Sequence, residues 1–156
     1  MLNMKLIFIF FLAFTNAYLL PRLYHRCIFS NTKDIFHYGS EERKNYKKIL
    51  KIKGYVQDHH CIPYQYRNHP LIRQINFNIN SSANLLIMPN KKGIINLNLS
   101  PELQIHDGGH PSYNSYIGKE LEIIYKEKTL DMKKYKFWLF LSFLKDNLQY
   151  NKEIPW

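Results

Sequence analysis

The alternation of apolar and polar positions changes character several times along the chain. Residues 6–14 (LIFIFFLAF) are an unbroken apolar run, and residues 18–40 show little periodicity. Residues 41–53 (EERKNYKKILKIK) interleave charge with Tyr46, Ile49, Leu50 and Ile52. That pattern predicts a short basic helix, stopped by Gly54. Residues 55–57 predict a short strand that runs into Asp58, His59 and His60. Residues 63–74 contain Pro63 and Pro70 and predict a loop. Phe77-Asn78-Ile79-Asn80 alternates, and Ser81-Ser82-Ala83-Asn84 has the composition of a turn. Residues 85–88 predict a second apolar strand, ended by Pro89 and Asn90, and residues 91–105 a second loop. Residues 112–128 predict a helix with Pro111 at its first position. Tyr113, Ile117, Leu121, Ile124 and Tyr125 give it an apolar stripe at helical spacing. Residues 135–150 predict a second, very apolar helix. Its run over residues 137–144 is shorter than the roughly 20 residues of a membrane span, so it reads as a buried closing helix. Two short strands among several helices make the expected fold class α+β.

Length adds a bound: 156 residues fit one domain with a core of its own. Apolar residues are 46% and charged residues 22%, which excludes a disordered chain, a collagen or a polytopic membrane protein. Charge alters the picture more. Lys and Arg number 22 against 12 Asp and Glu, a formal +10. Such a surplus favours polyanions or an anionic membrane surface. Abundant Ile, Lys, Asn, Tyr and Phe also reflect A/T-rich codons, which accounts for part of the lysine excess. At the N-terminus, Lys5, the apolar run and small residues at Thr15 and Ala17 form the pattern of a cleaved secretory signal over residues 1–17. An organelle address or an uncleaved anchor is the alternative. Cys27 and Cys61 are the only cysteines. They pair in an oxidising compartment or stay as two thiols, and the second reading is favoured.

Four of the seven histidines fall in two tight groups, Asp58-His59-His60-Cys61-Ile62-Pro63 and His106-Asp107-Gly108-Gly109-His110-Pro111. Neutral imidazole is a common metal ligand near neutral pH. Adjacent histidines at a strand end point to opposite sides, so His59 and His60 do not bind one ion together. Gly108 and Gly109 let the chain turn sharply between His106 and His110. Both imidazoles can then converge with His59, and three protein ligands leave positions open, as in a catalytic site.

Taken in order, DHHCIP, NINSSANLLIMP and HDGGHPSYN resemble the AHH nucleases of the HNH/endonuclease VII superfamily, also called His-Me finger or ββα-metal nucleases. Asp58 stands where the family has Ala. The resemblance spans residues 54–128 and implies a small ββα-metal core with long loops, followed by an additional C-terminal helix. With the patterns outside that span, the chain is expected to divide into the leader (1–17), an irregular and basic-helix lead-in (18–53), the nuclease core (54–128) and the closing helix packed on it (129–156). It further implies His59 as a metal ligand, His60 as the general base, and His110 as a second ligand. His106 is the third ligand or a phosphate contact. Asn84 orients His60 or braces the loop between the strands, and Tyr113 steadies the metal-site helix or is a core aromatic. The implied cofactor is one divalent ion, Zn²⁺, Mg²⁺ or Mn²⁺; an all-imidazole ligand set suits Zn²⁺ or another transition ion better than Mg²⁺. The implied reaction is phosphodiester hydrolysis to a 5′-phosphate and a 3′-hydroxyl, with DNA favoured over RNA as the substrate. Arg67, Arg73, Lys91 and Lys92 flank the histidines and are expected to contact phosphates. Two rival readings are a catalytically silent nucleic-acid-binding module and a structural zinc protein. The residues name no inhibitor partner. No reader motif is present, so affinity is expected to rest on phosphate charge.

Overall fold

The computed structural model describes residues 34–150 and 154–156. The expected leader and Cys27 lie outside them. Within the compact unit Ile35–Trp156, β1 (Val56–His60) and β2 (Leu85–Pro89) form an antiparallel ribbon. Its register runs from Val56 opposite Pro89 to His60 opposite Leu85. Helix α1 (Glu41–Ile49) precedes it, with Ser40 capping Arg43 N. Asp58 of β1 accepts from Arg43 Nε at 2.7 Å and Lys47 Nζ at 2.6 Å, both largely buried, which clamps α1 to the ribbon. The long helices are α4 (Pro111–Tyr125) and α5 (Leu130–Tyr150). Leu86 and Met88 join Tyr113, Ile117, Leu121 and Ile124 of α4 and Phe137, Leu141, Leu144 and Leu148 of α5 in one buried cluster. No helix among the described residues is long and apolar enough to cross a membrane.

The fold is the expected α+β arrangement, with differences in its connections. The two segments expected as loops carry short helices. Tyr64–Asn68 is a 3₁₀ turn, and α2 (Pro70–Gln74) starts with Pro70 at its first position while His69 Nδ1 accepts from Leu71 N at 3.2 Å. Helix α3 (Lys91–Asn96) is started by Asn90, whose side chain accepts from Gly93 N at 2.8 Å. A Cβ on Gly93 would collide with the Tyr55 carbonyl oxygen, so only glycine lets α3 lie this close to the chain entering β1. Helix α5 begins five residues before its expected start at residue 135, because Thr129 caps Met132 N and Asp131 sits in the first turn. Residues 77–80 form no strand; Phe77 instead packs on Phe137, with ring centroids 4.6 Å apart.

Candidate metal centre

Strand β1 sorts its residues by parity. Gln57 and His59 face one side, Asp58 and His60 the other. His59 is buried on the side of α4, with its ring 5.5 Å from the Tyr113 ring. The loop that brings His106 and His110 to it is pinned at both ends. His106 N donates to Pro89 O at 2.8 Å, at the end of β2. His110 immediately precedes α4. Between them Gly108 takes φ +93°, which closes the turn.

One ligand atom from each of His59, His106 and His110 lies within 4.8 Å of the other two. Nε2 of His59 and Nε2 of His110 are buried with no hydrogen-bond partner. Buried polar nitrogens without partners are uncommon, and a bound cation would satisfy both. His106 Nδ1 lies 2.9 Å from Gln57 Oε1. An amide oxygen only accepts, so Nδ1 carries the proton and Nε2 keeps its lone pair. Burial pushes the His59 imidazole down to about 3, helped by the nearby His106 and His110. Burial also lowers His106 and His110, with His106 adding to the effect on His110. All three are therefore neutral at pH 7 and free to ligate. The residues present fit a divalent cation.

Trp156 closes one side of the trio. Its ring stacks on His110 with centroids 3.8 Å apart at 34°, and lies 5.2 Å from the His59 ring. It so covers the rings of two of the three histidines.

His60 occupies a separate niche on the opposite face. Its Nε2 donates to Asn80 Oδ1 at 3.1 Å, which leaves Nδ1 as the free lone pair. Tyr38 lies 4.7 Å from its ring and Tyr64 6.2 Å. Burial lowers the His60 pKa, while the Asn80 hydrogen bond and Asp58 act the other way. A neutral imidazole with one fixed tautomer can accept a proton near pH 7.

A model of AHH, described as a nuclease family of the HNH/ENDO VII superfamily with conserved AHH, matches residues 40–136. The chain belongs to the AHH nuclease family. None of the curated proteins and none of the solved structures matches it. The AHH match takes in both strands, α4 and every residue of the histidine trio.

One of the two expectations for Asn84 is corrected. The structure places Asn80, not Asn84, against His60. Asn84 is fully buried, accepts from Ile62 N at 2.7 Å, and donates to Ile62 O at 2.9 Å and Ile79 O at 2.8 Å. It braces the loop between the strands, and none of its three hydrogen bonds reaches His60. Tyr113 combines both expected roles: fully buried, it donates from its hydroxyl to Cys61 O at 2.6 Å and so ties α4 to the end of β1. Tyr66 adds a second tie, to Asn114 O at 2.7 Å, and His69 a third, to Glu122 at 3.0 Å. Cys61 is a buried free thiol, raised to about 11 by burial.

Two of the four expected basic contacts, Arg67 and Lys91, lie beside residues of the site. Arg67, Arg73, Lys91 and Lys92 are all exposed. Arg67 lies 4.6 Å over the Tyr64 ring, beside the His60 niche. Lys91 pairs with Asp107 at 3.5 Å, which puts it next to the loop of the trio. Arg73 and Lys92 sit on α2 and α3. Sequence reasoning missed Gln57, Asn80 and Trp156. Gln57 could have been found from its parity with His59, two residues away on one strand; Asn80 and Trp156 had no local signal.

Proposed function

We propose that this AHH family member is a metal-dependent endonuclease that hydrolyses nucleic-acid phosphodiester bonds, with His60 as general base. The observation that supports this most is the division of labour at the end of β1. His59 belongs to a trio of neutral imidazoles with unpartnered nitrogens, and the very next residue is an imidazole held in one tautomer. A phosphate lying across the end of β1 would meet the trio on one side and His60 on the other.

His59, His106 and His110 would hold the ion, and the all-imidazole set favours Zn²⁺ or another transition ion over Mg²⁺. A divalent cation bound there supplies positive charge where negative charge grows on the phosphate oxygens. His60 Nδ1 takes the proton of a water as that water attacks phosphorus; the bond from phosphorus to the 3′-oxygen breaks, and the leaving oxygen takes up a proton from solvent. Asn80 keeps Nε2 protonated, so the proton can arrive only at Nδ1. Trp156 keeps bulk water off the His110 side. Arg67, Lys91 and Lys92 hold the flanking phosphates, and DNA is the substrate to try first.

Nicking of a supercoiled plasmid, with and without EDTA, and cleavage of a matched RNA test the reading. Cleavage should require added Zn²⁺ or Mn²⁺. His60→Ala should lower turnover roughly 10²–10⁴-fold with metal content unchanged. Full turnover in His60→Ala would refute the assignment of the base.

A further inference from the structure

Two tyrosines stand at the His60 niche with their rings open to solvent. Tyr38 is 49% exposed and Tyr64 50% exposed, although both rings are within 6.2 Å of the His60 ring. The backbone of each is also anchored. Tyr38 N donates to Asn80 O at 2.8 Å, so the residue that orients His60 also anchors Tyr38. Tyr64 opens the 3₁₀ turn that follows Pro63, and the Arg67 guanidinium covers part of its ring. Exposed aromatic rings, here with a cation on one of them, are what a strand of nucleic acid meets in proteins that bind it by stacking.

We propose that Tyr38 and Tyr64 form a base-stacking platform beside His60 that selects single-stranded nucleic acid. The inference rests on the nuclease reading of the same site. In a duplex both faces of each base are covered by its neighbours, so a ring can stack only at an end or after a base has been unstacked. A single strand offers its base faces freely. The bases flanking the scissile phosphate then lie on Tyr38 and Tyr64, and Arg67 meets the adjoining phosphate. Stacking is indifferent to base identity, so the selectivity concerns strandedness rather than sequence.

The test uses the full chain with Zn²⁺ added. The probes are a fluorescein-labelled single-stranded DNA oligonucleotide and the same oligonucleotide annealed to its complement. Both binding, by anisotropy, and steady-state cleavage are followed. Tyr38→Ala and Tyr64→Ala should each weaken single-strand binding and raise KM by about 10-fold, with kcat changed little. Duplex binding should move by less than about twofold, and Tyr38→Phe and Tyr64→Phe should stay close to wild type because the ring remains. Equal losses on both substrates, an unchanged Ala variant, or a Phe variant as weak as Ala would overturn the platform. Absence of cleavage by the wild-type chain on either probe would refute the nuclease reading, while anisotropy would still decide the platform.

Discussion

Asn84→Ala isolates the brace that holds the two strand ends together. The side chain has no solvent exposure and satisfies three backbone groups: Ile62 N, Ile62 O and Ile79 O. Ile62 and Ile79 are themselves buried, so water does not replace the lost partners. An orphaned buried N–H costs about 1–3 kcal/mol, and a carbonyl with a second lone pair somewhat less. The sum is roughly 3–5 kcal/mol, a large share of the about 5–15 kcal/mol that stabilises an ordinary domain. For a chain of this size the melting temperature should fall by about 10 °C. Urea unfolding followed by tryptophan fluorescence gives the difference directly, read from the midpoint at constant slope. Asn84→Asp should be at least as damaging at pH 7. It keeps the acceptor for Ile62 N but sets a carboxylate against two carbonyl oxygens. A loss under about 1 kcal/mol for Asn84→Ala would refute the brace, because three orphaned groups cannot be that inexpensive.

Other expected outcomes follow from the same geometry. His59→Ala and His110→Ala should each abolish tight Zn²⁺ binding in calorimetry, and Gln57→Ala should lower the affinity about 10-fold or more by freeing the His106 tautomer; Gln57→Glu keeps an acceptor and should rescue it, so loss of affinity in both would refute the orienting role. The metal-free chain should lose stability in acid. Its folded state holds His59 down at about 3 against an ordinary value of 6.5, so the unfolded chain takes up a proton that the folded chain refuses. Stability is then full above pH 6.5 and falls as the pH drops toward 3, by about 1.4 kcal/mol per pH unit for that one proton. His60, His106 and His110 shift the same way and steepen the fall. Urea midpoints that do not change between neutral and mildly acidic pH, in EDTA, would contradict the buried neutral imidazoles. If Lys92 meets a phosphate, Lys92→Ala should weaken binding to all sequences alike and reduce the slope of log affinity against log salt by about one; a wild-type slope would leave Lys92 as a solvated side chain.

Much of the site follows from sequence because its geometry is local. Two adjacent histidines at a strand end must diverge, since side chains alternate along a strand whatever it packs against. Histidines four apart around two glycines can converge because the turn between them needs little else. The stripes of α4 and α5 likewise depend only on helical period and an apolar core. The short helices α2 and α3 escaped that reasoning because they are too brief to show a period, and side-chain caps from His69 and Asn90 start them. The partner of His60 was beyond sequence altogether. Asn80 and Asn84 have the same side chain four residues apart, and only the path of residues 77–84 aims one at the imidazole and the other at Ile62. Asp58 in place of the family's alanine shows its use only once α1 brings Arg43 and Lys47 against it. Trp156 reaches His110 from 46 positions further along the chain. Contacts of that kind depend on how helices and loops pack in three dimensions, and no short window of sequence contains both partners.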